Sequence, residues 1–194
     1  MVMKKVLFLF VCAMAMTFSL PSHAQRLIPK QKGMEVVGSV PLIKGEKLFA
    51  KDNFGVGVSL TRYLKRENYA FVGIEYEQQN VPYRDYGVKL KDALLHLGYM
   101  HPILSDKGKN VFLYGGISAL GGYEELNEDK KLLPDGATLL DRSRFVYGGA
   151  VHGSVEIFLT DRLLFLVKAQ GRFLFGTDTH HFHPALSAGL RFNL

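Results

Sequence analysis

One cysteine, no tryptophan and seven prolines in 194 residues leave few of the usual devices for fixing a chain. The cysteine, Cys12, sits inside the apolar run from Val6 to Leu20. The rest of the chain therefore has no disulfide and no cysteine-based metal or redox site. After Gln25 no apolar run approaches the roughly twenty residues of a membrane-crossing helix, so the remainder is either exported and soluble or crosses a membrane as strands. A Ser/Pro-rich linker, a low-complexity tract and a close internal repeat are also missing, which leaves one domain. Blocks of like charge are absent too. Basic and acidic residues are intermixed along the sequence, which argues against direct nucleic-acid binding.

What is present begins with an export signal. Met3-Lys4-Lys5 is a short positive region, Val6 to Leu20 is apolar, and Ser22-His23-Ala24 places small residues before Gln25. That is the pattern of a cleaved secretory signal peptide over residues 1–24. Its apolar part, about fifteen residues, is too short for a membrane anchor. Removing Lys4 and Lys5 lowers the net charge from +6 to +4.

The other end of the sequence, HPALSAGLRFNL, alternates Leu186, Ala188, Leu190, Phe192 and Leu194 with Ser187, Gly189, Arg191 and Asn193. A period of two is a strand with one apolar face. A strand running to the final residue needs another to hold it, and a closed barrel supplies one by pairing last strand with first. Seven further segments carry strand pattern, giving eight near Met34–Pro41, Asn53–Tyr63, Tyr69–Gln79, Val88–His101, Val111–Gly122, Arg144–Leu159, Leu163–Gly176 and Pro184–Leu194. Most meet the roughly 9 to 11 residues of a tilted transmembrane strand. The intervening stretches alternate long and short, with Tyr123 to Ser143 the longest and Thr160 to Arg162 the shortest. Outer-membrane barrels sort their loops in this way. The predicted fold is all-β: an eight-stranded, antiparallel, up-and-down outer-membrane-type barrel over residues 34–194, after a periplasmic segment at 25–33.

The faces support a membrane barrel. Phe165, Val167, Ala169, Phe173 and Phe175 alternate with Lys168, Gln170 and Arg172, and the tight turn before them sets Ser154 opposite Lys168 and His152 opposite Gln170. Around the turn at Leu64 to Asn68 the same reasoning sets Gly57 opposite Glu75 and Gly55 opposite Glu77. Polar faces coincide, so they point inward and the apolar ones toward lipid. Eight strands enclose room for side chains alone, so Glu75, Glu77, Glu156, Lys168, Arg172 and Arg191 are expected to neutralise one another in the lumen. Near the short turns, Leu94 with Leu95 and the run Leu163 to Val167 are apolar on both faces, which an apolar plug at that end would explain. Leu190, Phe192 and Leu194 are assigned to lipid contact and barrel closure.

At AQRLIPKQKG (Ala24 to Gly33), SLTRYLKRENY (Ser59 to Tyr69), LGYMHPILSDKGKNVF (Leu97 to Phe112), GGYEELNEDK (Gly121 to Lys130) and LLPDGATLLDRSRFVYGG (Leu132 to Gly149), the chain closely resembles the TraO family, conjugal transfer proteins of conjugative transposons. The resemblance implies a role in DNA transfer through a type IV secretion-like envelope machine, with other apparatus proteins as partners. It implies no enzymatic activity and brings no catalytic residues.

Three clusters invite other readings. His152, Ser154 and Glu156 share one strand face, but residues two apart lie roughly 6.5 to 7 Å apart, loose for a hydrolytic relay, and a plugged lumen admits no substrate. His180, His181 and His183 are assigned to a solvated outer loop rather than a metal, and the paired glycines to strand bends rather than phosphate loops. Tyr63, Tyr69 and Tyr99 are expected to form an interfacial girdle. The long loop offers charged and apolar contacts together through Glu124, Glu125, Glu128, Asp129, Lys130, Lys131, Leu132 and Leu133, and is the expected partner-binding surface. The reading is thus a non-enzymatic outer-membrane barrel without cofactor, metal or small-molecule substrate, in contact with outer-membrane lipid. A lipid-modifying barrel enzyme and a surface adhesion or resistance barrel are the alternatives.

Overall fold

A computed structural model describes residues 27–43, 53–83, 86–126, 143–177 and 180–194. The signal-peptide reading falls outside them, as do Glu128 to Leu133 of the expected binding loop. The described residues form eight strands: β1 (Lys32–Pro41), β2 (Phe54–Tyr63), β3 (Tyr69–Tyr83), β4 (Tyr86–Ser105), β5 (Val111–Leu126), β6 (Ser143–Phe158), β7 (Leu163–Phe175) and β8 (Phe182–Asn193). Each pairs antiparallel with its sequence neighbours and β8 pairs with β1, closing the barrel. Among the described residues no helix is long and apolar enough to cross a membrane.

The register follows from the turns. Gly57 pairs with Glu75 and Gly55 with Glu77 across β2 and β3, and Ser154 with Lys168 and His152 with Gln170 across β6 and β7, as the alternation requires. Strict period two then sends Val36, Val58, Leu60, Ile74, Leu97, Ile117, Phe145, Phe165 and Leu190 outward, where all are exposed. Exposed apolar side chains on every strand form a continuous band, far larger than a soluble monomer tolerates. Outer-membrane barrels carry an outward apolar band of this kind.

Three strands run further than the pattern suggests. The alternation of loops makes Asn80 to Gly87 a long connection, but the β3–β4 ladder continues to Tyr83 paired with Tyr86. Pro82 is what makes the stretch look like a loop. It is tolerated because, among the described residues, the β2 ladder ends at the Phe54–Gln78 pair and Asn53 Oδ1 takes the next N–H, that of Asn80, so Pro82 lies past the point where β3 owes β2 a ladder donor. β4 likewise passes His101 to Ser105 through a register shift between Pro102 and Leu104, and β5 continues to Leu126. At the start, the barrel begins at Lys32 rather than Met34.

Both ends of the described chain and the three short turns lie at one end of the barrel, the terminal end; the opposite end is the loop end. Leu27 is only 8% exposed and caps the terminal end from inside, together with Tyr63, Tyr69, Met100, Phe112, Tyr114, Phe158 and Leu164. This is the apolar plug that the doubly apolar stretches imply. The girdle reading is corrected for two residues: Tyr63 and Tyr69 are 1% and 0% exposed and belong to the plug, whereas Tyr99 faces outward at 40%. The parity of β2 and β3 explains it, since Tyr63 shares a face with Gly55 and Gly57, and Tyr69 with Glu75 and Glu77. Most outward aromatics lie toward the loop end, at Tyr123, Phe145, Tyr147, Phe173, Phe175 and Phe182, while Tyr99, Phe165 and Phe192 lie toward the terminal end.

Candidate functional site

The lumen is layered from the plug toward the loop end. Directly above the plug, Arg191 of β8 is fully buried and donates to Glu35 Oε2 at 2.7 Å, Glu156 Oε2 at 2.6 Å and Oε1 at 2.9 Å, and the hydroxyls of Tyr63 at 2.9 Å and Tyr69 at 2.8 Å. Tyr69 in turn donates to Glu156 Oε1 at 2.6 Å, and its ring lies 4.3 Å beneath the guanidinium. One cation thus serves two acids on different walls, and Lys168 adds a second bond to Glu35. A guanidinium suits this place because its planar fork is always charged and makes several directed bonds at once.

The next layer holds Glu75, which accepts from Gln170 Nε2 at 2.9 and 3.1 Å and from Ser39 Oγ at 3.3 Å, and lies 3.0 Å from His96 Nε2. Arg172, also fully buried, bonds Glu77 and stands 4.0 Å from Glu75. Leu94, Leu120, Val146, Ala150 and Leu174 fill one wall beside it. All six expected lumen residues, Glu75, Glu77, Glu156, Lys168, Arg172 and Arg191, therefore meet inside. Between these groups lies a cavity of about 50 Å³ lined by Glu35, Glu75, His96, His152, Lys168 and Gln170. It has room for a few solvent molecules, and the side chains packed around it leave no passage for a strand of DNA or a peptide.

The sequence pattern misses three acids. Glu35 is a central partner of Arg191. Asp92 and Glu124 line the lumen near the loop end, where the register sets Glu77, Asp92 and Glu124 side by side on β3, β4 and β5. Asp92 is 1% exposed and neither of its oxygens has a hydrogen-bond partner. The assignment of Glu124 to the binding loop is corrected: it is 3% exposed, points inward from β5 and accepts from Thr177 Oγ1 at 2.8 Å. Even-numbered residues of β5 face inward, so the same parity that buries Ser118 and Leu120 buries Glu124. Glu125 faces out and lies 3.6 Å from Lys91.

The hydrolase-like cluster does not assemble as a relay. His152 Nε2 is 2.8 Å from Ser118 Oγ on β5, while Ser154 donates to Glu156 at 3.4 Å and Glu156 is held by Arg191. Of the three clustered histidines, His183 lies inside β8, with Nδ1 3.3 Å from Gln79 Nε2, and His181 Nδ1 approaches Leu174 O at 3.0 Å. Among the described residues no three histidine or acid side chains converge on a metal position. Leu190 and Phe192 are exposed on the outer wall at 46% and 44%, pairing with Val36 and Met34 of β1, and Leu194 N donates to Lys32 O at 2.8 Å. The closing strand is placed as its alternation requires.

Comparison with solved structures finds the same wall. Ail, the attachment invasion locus protein of Yersinia pestis, superposes with a TM-score of 0.52 at 11% identity over 86% of this chain and 100% of its own. Neisserial surface protein A gives 0.51 at 14% identity over 84% and 96%. At such identities the likeness is one of fold. No curated protein matches the sequence. The family model described as conjugative transposon protein TraO matches residues 28–194, which hold the whole barrel, and the chain belongs to that family.

Proposed function

We propose that this chain is a non-enzymatic outer-membrane component of the apparatus by which a conjugative transposon transfers DNA between cells. The carrying observation is the combination of an apolar outer band with a lumen filled by plug and ion pairs. Such a body belongs in a membrane and conducts nothing through itself, so in a transfer machine it acts as an anchor and docking post beside the path of the DNA. Both termini then face the periplasm and the long β5–β6 connection faces outward. The enclosed, otherwise engaged His152 and the held Glu156 support a role without catalysis. Lipid bathes the wall, and other proteins of the apparatus are the partners.

The test is a donor strain lacking the gene. Transfer frequency should fall by orders of magnitude and return with the gene in trans, and the protein should fractionate with the outer membrane and change its gel mobility on boiling. Undiminished transfer, or recovery of the protein as a soluble periplasmic species, would refute the proposal.

A further inference from the structure

The intermixed charges of the sequence separate in space. Lys30, Lys32, Arg62, Lys65, Arg66, Lys107, Lys109 and Arg162 all lie at the terminal end and all are exposed, against the acids Glu67, Asp106 and Asp161. That local excess is larger than the +4 of the chain beyond its first 24 residues, so the rest of the barrel is close to neutral. Closure produces the gathering: basic residues far apart in sequence sit in the short turns, which share one end. Only Lys109 has an ion-pair partner among the described residues, Glu67 on the neighbouring turn.

Backbone conformation adds a second observation. Among the described residues, four that are not glycine have positive φ: Lys30 at 75°, Arg66 at 58°, Glu67 at 64° and Lys109 at 52°. All are at this end, and three are basic. Glycine adopts this conformation freely and other residues at a cost, so the backbone here is held in a costly conformation at three cations. A third is the apolar company. Ile28, Leu64, Leu159 and Leu194 are exposed at 54%, 39%, 46% and 69% among these cations. Backbone bonds stitch the patch together, from Lys30 N to Tyr63 O at 2.8 Å, Asn193 N to Arg162 O at 2.7 Å and Leu194 N to Lys32 O at 2.8 Å.

Resting on the function proposed above, we infer that the terminal end is a docking face for an acidic protein segment with apolar anchors, belonging to a periplasmic part of the same apparatus. Lipid headgroups would satisfy Lys32 and Arg62, which point outward from the wall, but Lys65, Arg66, Lys107 and Arg162 sit in the turns beyond the strand ends. Single-stranded nucleic acid is recognised by stacking on exposed aromatics, and the turns carry none. Isolated aliphatic residues ringed by charge are the makings of a protein interface.

The experiment uses the full-length protein in the donor's outer membrane. The combined variant Lys65→Glu, Arg66→Glu, Lys107→Glu and Arg162→Glu should accumulate as a heat-modifiable barrel and lower transfer at least a hundredfold, while Lys65→Arg with Lys107→Arg transfers normally. Arg66→Gly relieves the backbone and should leave thermal stability unchanged or raised while transfer falls; a stability loss would make Arg66 structural and count against the inference. A photo-crosslinking amino acid at Leu64 or Leu159 should yield a protease-sensitive adduct, lost in the charge-reversed variant, with an element-encoded protein joined through an acidic stretch. Normal transfer by the reversed variant, in a strain where deleting the gene abolishes transfer, would overturn the docking face and leave the proposed function standing. A nuclease-sensitive or solvent-extractable adduct would overturn it in favour of nucleic acid or lipid.

Discussion

Glu35 and Arg191 face each other across the seam that closes the barrel, as ladder partners on β1 and β8 with Arg191 Nη2 2.7 Å from Glu35 Oε2. The contact that joins the two ends of the sheet is thus also the centre of the ionic core. Backbone pairing and charge neutralisation depend on the same register there: a slip of one residue would turn Arg191 toward lipid and leave Glu35 and Glu156 with one cation fewer.

Replacing Arg191 with Met should therefore be costly. It leaves two buried carboxylates short of their shared cation, a loss of about 3–5 kcal/mol for breaking a buried ion pair. A urea titration of the purified barrel, followed by its heat-modifiable gel shift, should show a lowered midpoint. Adding Glu35→Gln and Glu156→Gln should recover part of the loss, since the uncompensated charges go with it. An unchanged midpoint in the single variant would mean that the seam pair contributes nothing to stability.

Deleting Leu190 to Leu194 should prevent assembly. It strips partners from Gly33 to Val36 of β1 and from Leu163 to Phe165 of β7. In lipid each unpaired backbone group costs several kcal/mol. The truncated chain is expected in a protease-sensitive, non-heat-modifiable form, and normal insertion would count against the closing role of this strand.

Asp106 gives the β4–β5 turn a pH dependence. Burial raises the pKa of its carboxylate, but together the backbone N–H groups of Val111 at 2.8 Å, Asn110 at 2.6 Å and Gly108 at 3.1 Å donate to it and hold the pKa below the usual carboxylate value. A depressed pKa stabilises the folded turn fully above the ordinary carboxylate range, and the contribution is lost as pH falls through the lowered value. Amide exchange at Asn110 and Val111 should accelerate, relative to the strand amides, at acidic pH in the native protein. In Asp106→Ala the protection should be reduced at every pH and lack this acid dependence.

Residues 127–142 should be dispensable for the barrel. β5 and β6 are already paired from Glu125 and Ser143 downward, so a short Asn-Gly turn in their place leaves the ladder intact. The variant should insert and remain heat-modifiable. Transfer should fall at least tenfold, and normal transfer would take this connection out of the contact surface.

The wall is readable from the sequence because tight turns fix register locally. Gly57 with Glu75 and Ser154 with Lys168 are pairs across short turns, and alternation carries the rest. Glu35 escapes such a reading because β1 meets β2 across a long connection and meets β8 only through closure, so no turn sets its height. Tyr63 and Tyr69 are misplaced for a different reason. Tyrosine suits both a headgroup layer and an aromatic plug, and only parity counted back from Gly57 and Glu75 separates the two. The basic face is invisible for a third reason: its members are spread from Lys30 to Arg162, and intermixing along a chain says nothing of sorting between two ends of a barrel.

The filled lumen also bears on the host cell. In the proposed location, an element that installed an open porin in every carrier would admit antibiotics and detergents along with it, and carriers would be selected against whenever those were present. A barrel whose interior is occupied by Arg191, Arg172, their carboxylates and an aromatic stopper leaves the permeability of the envelope as it was. On the proposed function, the number of barrels in the membrane can then follow the needs of assembly without opening a leak.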